Sequence, residues 1–549
     1  MASDGPLIVQ SDRTVLLEVA HPAAEDARHD LAVFAELERA PEHIHTYRIT
    51  RLGLWNARAA GHTADDMLGT LERYSRFPVP QAVSVDIAET VGRYGRLVIE
   101  RADDGALTLS ASDPSVLREI MRAKKVAELL FEHRGEASVV VQPWARGQLK
   151  QELLKLGWPA EDRAGYTPGT PHDIELDLSD GWGLRPYQQQ AIDNFTDAGS
   201  GVVVLPCGAG KTLVGLGAMA ATDTTTLILV TNTVSARQWR AELLKRTSLT
   251  EDEIGEYSGE RKEVRPVTIA TYQILTARRA GQYTHLALLD ALDWGLVVYD
   301  EVHLLPAPVF KLTAELQARR RLGLTATLVR EDGREGDVFS LIGPKRFDAP
   351  WKEIEAQGFI SPASCFEVRI DLPEDERLQY AASADDERYR LAATAPAKLD
   401  AVRALVDKHA GERILVIGQY LDQLDELAEA LDAPALTGST PVSERERLFQ
   451  EFRDGTTKLL VVSKVANFSV DLPEATVAIQ VSGSFGSRQE EAQRLGRLLR
   501  PKESGLPANF YTLVARDTVD QDFAQNRQRF LAEQGYSYTI LDADELAAA

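Results

Sequence analysis

Cysteine is almost absent from this chain, whose 549 residues include only Cys207 and Cys365. Two cysteines are too few for a disulfide framework or a cysteine-based zinc site, and their scarcity fits a reducing intracellular compartment. No apolar run reaches the roughly 18 residues that a membrane helix needs. The first five residues, Met1 to Gly5, lack the basic and apolar regions of a signal peptide. These absences predict a cytoplasmic protein with no membrane partner.

Positive charge is also scarce, because 61 lysines and arginines face 83 aspartates and glutamates, a net charge of −22. Nucleic-acid binders usually carry a basic surface. The negative net charge is only a weak argument against nucleic-acid binding, since phosphate contacts need a single local basic groove. The length exceeds what one hydrophobic core can organise, so we expect three or four domains.

Short apolar strands alternate with amphipathic helices in two stretches, residues 201–345 and 413–514. This alternation predicts parallel sheets covered by helices on both faces. The fold class is therefore α/β, with two tandem parallel-sheet domains preceded by an α+β amino-terminal region. The predicted strands are Val202–Leu205, Thr226–Val230, Val267–Ala270, Leu296–Tyr299 and Leu322–Leu324 in the first stretch, and Ile414–Ile417, Lys458–Val462, Val477–Val481 and Phe510–Leu513 in the second.

The chain divides into five predicted segments. Residues 1–110 contain two helices and a hairpin, a winged-helix-like pattern whose acidic second helix favours protein contact over groove reading. Residues 111–180 form a small α/β element with a basic cluster that is either a DNA contact or a solvated face. Residues 181–350 and 401–549 are the two parallel-sheet domains. The connector, residues 351–400, contains a polar stretch that is either a small inserted element or a linker.

A phosphate-binding loop is predicted where the strand ending at Leu205 meets a helix beginning at Lys211. Gly208, Ala209 and Gly210 would turn backbone N–H groups toward phosphates at the positive end of that helix. Lys211 would reach the β- and γ-phosphates, and Thr212 would ligate magnesium. The match is to the short Gly-x-Gly-Lys-Thr form, because Leu205 stands where the longer pattern has its first glycine.

Two carboxylates, Asp300 and Glu301, follow the apolar strand Leu296–Tyr299 and precede His303. They would lie at the carboxyl edge of the sheet, where ligands bind in α/β folds. Asp300 would hold Mg²⁺, and Glu301 would orient the attacking water. Together with the phosphate loop, this motif predicts hydrolysis of a nucleoside triphosphate.

Further residues are predicted to complete the nucleotide site and to couple it to a bound strand. Gln188, three residues after Arg185, has an amide that can pair with adenine. In the second domain, basic side chains three residues apart on one helical face could neutralise a transferring phosphoryl group. The assigned residues are Arg185, Gln188, Asp471 and Gln493 for the nucleotide, Arg497 and Arg500 for catalysis, and His303, Thr325 and Thr327 for coupling.

These motifs, in this order, resemble those of superfamily-2 helicases. Arg330, Glu331 and Asp332 directly follow Thr325-Ala326-Thr327, and this pattern resembles the XPB family. Residues 341–345, 471–475 and 493–500 are also XPB-like, as are residues 6–9 and 41–47 near the start. The similarity therefore covers nearly the whole chain.

The resemblance implies two RecA-like domains, ATP with Mg²⁺ as cofactors, and 3′-to-5′ unwinding or translocation of DNA in repair. It further implies duplex opening by Arg330, Glu331 and Asp332, and a damage-recognition domain matched here to residues 112–178. The thumb-like insertion is short, and the acidic insertion of eukaryotic members is missing. These departures favour a compact prokaryotic member. We expect it to be monomeric and associated with the nucleoid, and some prokaryotic relatives imply a partner nuclease.

Two alternative functions remain at this point. One is an ATP-driven DNA-remodelling switch that needs a partner and does not unwind processively. The other, weaker alternative is an RNA helicase.

Overall fold

The computed structural model describes most of the chain. The described residues are 4–40, 43–142, 144–179, 181–206, 208–279, 282–306, 309, 315–326, 335–349, 351–357, 359, 362–463, 475–483, 508–533, 536 and 538–546. None of the helices in these ranges is long and apolar enough to cross a membrane.

The amino-terminal unit, residues 7–93, packs helices onto an antiparallel sheet of order β1-β2-β4-β3. Thr63 caps the start of α3, since its hydroxyl accepts a hydrogen bond from the N–H of Asp66. Its strands are β1 (Leu7–Val9), β2 (Thr14–Glu18), β3 (Ala35–Arg39) and β4 (Ile44–Ile49), and its helices are α1 (Ala24–Leu31), α2 (Arg51–Ala59), α3 (Ala64–Tyr74) and α4 (Gln81–Arg93).

The middle unit, residues 97–162, is a five-stranded sheet of order β7-β8-β6-β5-β9. The predicted hairpin is present as β5 and β6, but β6 also pairs with β8. The boundary placed after residue 110 therefore falls within one sheet, whose apolar side chains share one core. The strands are β5 (Leu97–Arg101), β6 (Leu107–Ala111), β7 (Leu130–His133), β8 (Ser138–Val141) and β9 (Ala160–Asp162), and the helices are α5 (Pro114–Ile120), α6 (Lys124–Ala127) and α7 (Arg146–Lys155).

The first lobe, residues 186–356, is a seven-stranded parallel sheet of order β12-β13-β11-β16-β17-β10-β18. Its strands and a small hairpin are β10 (Ser200–Val204), β11 (Thr226–Val230), β12 (Ile254–Tyr257), β13 (Val267–Thr271), β14 (Arg278–Arg279), β15 (Gln282–Tyr283), β16 (Leu296–Asp300), β17 (Arg320–Thr325) and β18 (Lys345–Asp348). Its helices are α8 (Pro186–Ala198), α9 (Lys211–Thr222), α10 (Thr233–Arg246), α11 (Tyr272–Thr276), α12 (Glu335–Leu341) and α13 (Trp351–Ala356).

The second lobe, residues 363–546, is another seven-stranded parallel sheet, of order β21-β22-β20-β23-β24-β19-β25. The strands are β19 (Ala363–Ile370), β20 (Ile414–Gly418), β21 (Ala435–Leu436), β22 (Leu459–Ser463), β23 (Val477–Gln480), β24 (Ala508–Ala515) and β25 (Tyr538–Asp542). The helices are α14 (Glu374–Ala382), α15 (Asp385–Ala393), α16 (Lys398–Lys408), α17 (Leu421–Ala430), α18 (Val442–Arg453), α19 (Val519–Glu533) and α20 (Ala543–Leu546).

The predicted fold class, two tandem parallel-sheet domains after an α+β region, is confirmed by these sheets. One difference concerns residues 351–400, which the sequence assigned to a connector. Strand β19 lies inside the second sheet, between β24 and β25, so the second lobe begins before residue 401. The polar stretch within that segment forms the helices α14 and α15, which favours an inserted element over a linker.

The amino-terminal unit contacts both lobes. On the first lobe, the backbone N–H of Lys345 donates to Asn56 Oδ1 at 3.0 Å. On the second lobe, the Arg529 guanidinium in α19 donates to the carbonyl of Leu37, and Ala532 packs into the amino-terminal core. One folded unit therefore contacts both the edge strand β18 of the first lobe and helix α19 of the second.

Candidate functional site

The turn between β10 and α9 has the geometry of an anion cradle. Gly208 and Gly210 have φ values of 84° and 82°, in the left-handed region that favours glycine. Gly210 is the N-cap of α9, and no side chain caps the first helical turn, whose backbone N–H groups suit an anion. Cys207, the remaining member of this loop, lies outside the described residues.

Asp300 is the last residue of β16 and lies at the carboxyl edge of the first sheet. Its Oδ2 accepts a hydrogen bond from Trp239 Nε1 at 2.9 Å, and its Oδ1 accepts one from the N–H of Glu301 at 3.1 Å. Burial, followed by the charge of Glu301, raises the pKa of Asp300 to about 6. The charge of Lys211 lowers this pKa, and a further positive charge at this edge would also favour the ionised form of Asp300.

Glu301 pairs with the lysine of the phosphate loop. Lys211 Nζ lies 3.0 Å from Glu301 Oε1, and both side chains are largely buried. Burial acts to raise the pKa of Glu301, but the charges of Lys211 and His303 outweigh it and lower the pKa below its usual value. Glu301 has a φ of 49°, a strained conformation of the kind that recurs at functional sites.

A further contact links this pair to the neighbouring strand. His303 Nδ1 lies 3.4 Å from Glu301 Oε2 and 2.6 Å from the hydroxyl of Thr325, the last residue of β17. A continuous chain of contacts thus runs from Lys211 through Glu301 and His303 to Thr325. The structure brings these four predicted residues together; Thr212, also predicted, is the second residue of α9.

Gln188 lies beside the loop, but its amide is engaged within the protein. It is 1% exposed, its Oε1 accepts from the N–H of Arg185 at 2.9 Å, and its Nε2 donates to the carbonyl of Ala209 at 2.8 Å. Arg185 stacks on the ring of Phe359, with its guanidinium carbon 4.7 Å from the centroid. In this conformation the amide fixes the phosphate loop, and the base-reading role of Gln188 stays a prediction.

Several predicted site residues lie outside the described residues. They are Thr327, Arg330, Glu331, Asp332, Asp471, Gln493, Arg497 and Arg500. The described residues of the candidate site therefore belong to the first lobe.

Aromatic residues that the sequence analysis did not identify support the site. Trp239 on α10 holds Asp300, and the hydroxyl of Tyr272 donates to the carbonyl of Asp300 at 2.8 Å. A Cβ on Gly215 of α9 would lie 2.4 Å from Trp239 Cη2, so the glycine permits the close approach of the two helices. The hydroxyl of Tyr187 donates to the carbonyl of Ala209 at 2.7 Å. The sequence gives one signal for Trp239: it is a large aromatic residue in the helix that follows β11, the strand next to β16.

The donor set fits a magnesium–triphosphate group. An uncapped helix end with two left-handed glycines, a buried lysine and a buried carboxylate with a raised pKa match phosphate oxygens and a hard cation. Among the described residues, no group of three or more His, Cys, Asp or Glu side chains could hold a metal ion unaided.

Three family models match the chain. "ERCC3/RAD25/XPB C-terminal helicase" matches residues 354–548, "Type III restriction enzyme, res subunit" residues 182–330, and "Helicase conserved C-terminal domain" residues 7–135. These models cover parts of both lobes and of the region before them.

Similar proteins extend over nearly the full length. The "DNA 3'-5' helicase XPB" of Kineococcus radiotolerans is 68% identical, with 99% of this chain and 98% of the relative covered. The protein of the same name from Mycobacterium tuberculosis is 63% identical, with 99% of each covered. The "General transcription and DNA repair factor IIH helicase/translocase subunit XPB" of Antonospora locustae is 34% identical, with 98% of this chain and 82% of the relative covered. The chain therefore belongs to the XPB family of DNA helicases.

Proposed function

We propose that this protein is an ATP-dependent DNA 3′-to-5′ helicase that couples ATP hydrolysis to duplex opening. The observation that carries the proposal is the Lys211–Glu301 pair beside buried Asp300, connected through His303 to Thr325. Relatives of 68% and 63% identity bear the name DNA 3′-5′ helicase, and they support the choice of DNA and direction.

The proposed roles follow from position and chemistry. The N–H groups after Gly210 and the ammonium of Lys211 bind phosphate oxygens. Thr212 and Asp300 would hold Mg²⁺, which would supply positive charge to neutralise the triphosphate. Once a phosphate takes the place of Glu301 at Lys211, the Glu301 carboxylate is available to orient water. Gln188 with Arg185 binds the base side, and Asp471, Gln493, Arg497 and Arg500 complete the site from the second lobe.

The contacts from Glu301 through His303 to Thr325 connect the site of hydrolysis with the residues proposed to couple it to a bound DNA strand. Thr327, the next hydroxyl after Thr325, belongs to the same proposed coupling element. Arg330, Glu331 and Asp332 then act on the duplex itself. A role in DNA repair, a monomeric state, association with the nucleoid and a partner nuclease are further proposals that rest on the family resemblance.

The test is ATPase and strand-displacement activity of Lys211→Ala and Glu301→Gln. Each variant should lose at least about 100-fold in DNA-stimulated ATP hydrolysis, since the first removes an ammonium that binds phosphate and the second the carboxylate that orients water. Lys155→Ala is the matched control, because Lys155 forms an exposed ion pair with Glu152 at 2.7 Å in the middle unit. Wild-type turnover in either site variant would refute the assignment.

Substrate choice is tested on tailed duplexes and on single-stranded DNA, duplex DNA and RNA. We expect strand separation on a 3′-tailed duplex and not on a 5′-tailed one. Brisk hydrolysis without separation, restored only by a partner protein, would favour the remodelling switch instead. Stronger stimulation by RNA than by DNA would contradict the choice of nucleic acid.

A further inference from the structure

The carbonyl of Ala209 in the phosphate loop accepts two hydrogen bonds from helix α8. Tyr187 donates from its hydroxyl at 2.7 Å, and Gln188 donates from Nε2 at 2.8 Å. Both donors are buried, and together they use the two lone pairs of this oxygen. Ala209 lies between Gly208 and Gly210, the two residues of the loop with left-handed φ values.

The direction of this carbonyl matters for anion binding. Successive backbone N–H groups can turn toward an anion where the carbonyls between them turn away. A carbonyl oxygen that faced the phosphates would repel them, because it carries a negative partial charge. By holding the Ala209 oxygen against α8, the two donors stabilise the loop conformation that suits a phosphate.

The hydroxyl of Tyr187 is itself oriented by a charged neighbour. Arg185 donates from Nη1 to this hydroxyl at 3.0 Å. A hydroxyl has one proton, so a hydroxyl that accepts from a guanidinium directs that proton to its other partner. For Tyr187 the other partner is the carbonyl of Ala209. Arg185 therefore fixes the hydrogen bond that Tyr187 makes to the phosphate loop.

Arg185 is held in turn by Phe359. Its Nη1 donates to the carbonyl of Phe359 at 3.3 Å, and its guanidinium carbon lies 4.7 Å from the centroid of the Phe359 ring. The same ring packs on Tyr187, with 5.4 Å between the two centroids. One phenylalanine thus contacts both side chains that lead to the loop.

Phe359 lies in the chain between the two lobes. It follows α13, where its N–H donates to the carbonyl of Ile354 at 3.0 Å, and it precedes β19, which begins at Ala363. The apolar core against which it packs contains residues of both lobes. The contacts from Ala209 to Phe359 therefore connect the phosphate loop with the chain that joins the lobes.

We propose that Tyr187 and Phe359 are positioning residues for nucleotide binding that act through Arg185. In this relay, Phe359 orients Arg185, Arg185 orients the hydroxyl of Tyr187, and the hydroxyl fixes the carbonyl of Ala209. Nucleotide affinity in the first lobe then depends on the chain that leads to the second. Because such coupling is reciprocal, a bound nucleotide also acts on Phe359. This inference rests on the proposed function.

The first test is the Kd of the full-length protein for a non-hydrolysable ATP analogue with Mg²⁺. Tyr187→Phe removes only the hydroxyl and should weaken binding roughly fivefold, since the carbonyl of Ala209 keeps one donor. Tyr166→Phe is the matched control. The Tyr166 hydroxyl donates to Ser200 Oγ at 2.7 Å, at the opposite end of the strand that leads into the loop, so binding should stay at the wild-type value.

The second test changes the far end of the relay. Phe359→Leu keeps an apolar side chain but removes the ring on which Arg185 and Tyr187 pack, and it should weaken analogue binding by about the same factor. Phe366→Leu is the matched control, because the Phe366 ring stacks on Tyr511 in the second lobe with 4.7 Å between centroids. The control should bind the analogue as the wild type does.

The double variant distinguishes a relay from two independent contacts. Tyr187→Phe combined with Phe359→Leu should weaken binding no more than the larger single change, whereas independent contacts would multiply to roughly 25-fold. KM for ATP should rise with this Kd and kcat should change less, because the loop binds the triphosphate both before and during hydrolysis.

Two results would overturn the inference. One is wild-type analogue binding in either single variant, which would leave these contacts with a structural role alone. The other is a double variant whose loss equals the product of the single losses. A wild-type protein that does not bind the analogue would instead overturn the proposed function.

Discussion

One aromatic neighbour, Trp239, favours the ionised form of Asp300. Burial and the nearby Glu301 raise its pKa to about 6, whereas the indole N–H of Trp239 acts in the opposite direction by favouring the ionised form. An Asp300 that must be ionised to hold a cation should support activity above this pKa and lose it as the pH falls through 6.

Trp239→Phe removes that N–H and keeps most of the packing. The pKa of Asp300 should rise further, so the acid side of the pH profile of kcat/KM should move to higher pH by roughly half to one unit, equivalent to about 1 kcal/mol. The measurement is ATPase activity from pH 5.5 to 8.5.

Trp294→Phe is the matched control for this change. Trp294 is fully buried in the same lobe, and its indole donates to the carbonyl of Leu288 at 3.0 Å, away from the site. An identical pH shift in both variants would show that Trp239 has no specific effect on Asp300.

At the scale of secondary-structure elements, the site lies where two neighbouring strands end. Strands β16 and β17 are neighbours in the sheet, and His303 after the first contacts Thr325 at the end of the second. A change in the contacts of Glu301 can therefore alter those of Thr325 in β17 through the imidazole of His303.

Thr325→Val keeps the shape of the side chain and removes the hydroxyl. Strand displacement should fall about tenfold or more, whereas ATP hydrolysis should fall by no more than about threefold, because the phosphate-contacting groups are intact. Both rates are measured on the same 3′-tailed duplex.

Thr226→Val serves as the control, since Thr226 is fully buried in the same sheet and its hydroxyl donates to a local carbonyl at 3.0 Å. Equal losses of hydrolysis and strand displacement in Thr325→Val would contradict a coupling role.

At the scale of the whole molecule, the amino-terminal unit lies against both lobes. Its contact with the second lobe surrounds a cavity of about 420 Å³ that is lined by His45, Glu367 and Arg369, among others. Burial, with a smaller contribution from the charge of Arg28, lowers the pKa of His45 to about 4. The folded protein therefore holds this imidazole neutral.

The stability of the folded protein should consequently depend on pH through His45. A histidine whose pKa is lowered on folding gives stability above its unfolded pKa of about 6.5, and this is lost as the pH falls toward 4. At pH 5 the loss is roughly 2 kcal/mol. His45→Gln should lose less stability than the wild type between pH 7.5 and pH 5, as measured by thermal unfolding. The exposed His62, replaced by Gln, is the control, and equal losses in all three proteins would refute the role of His45.

Sequence patterns predicted the parts of this molecule that depend on neighbouring residues. The phosphate loop and the Asp300–Glu301 pair follow from strand, turn and helix patterns within a few residues, and they lie where those patterns placed them. The orientation of the Gln188 amide was not predictable, because it depends on how α8 packs against the loop.

Contacts between elements that lie far apart in the chain could not be predicted either, because they also depend on tertiary packing. Strand β19 pairs with β24 and β25, which follow it by about 140 residues or more, and no local pattern encodes such a partner. Trp239 on α10 reaches Asp300 at the end of strand β16, 61 residues further along the chain. Periodicity reports which face of an element is apolar, but not which neighbour covers it.

The ion pair between Lys211 and Glu301 makes anion binding at Lys211 selective. A ligand must compensate for separating two buried partners, and removing one partner from such a pair is costly, about 3–5 kcal/mol. A polyphosphate contacts the helix end and the ammonium at once, so it offsets more of this cost than chloride or a single phosphate does. The buried pair therefore favours polyphosphates over small anions.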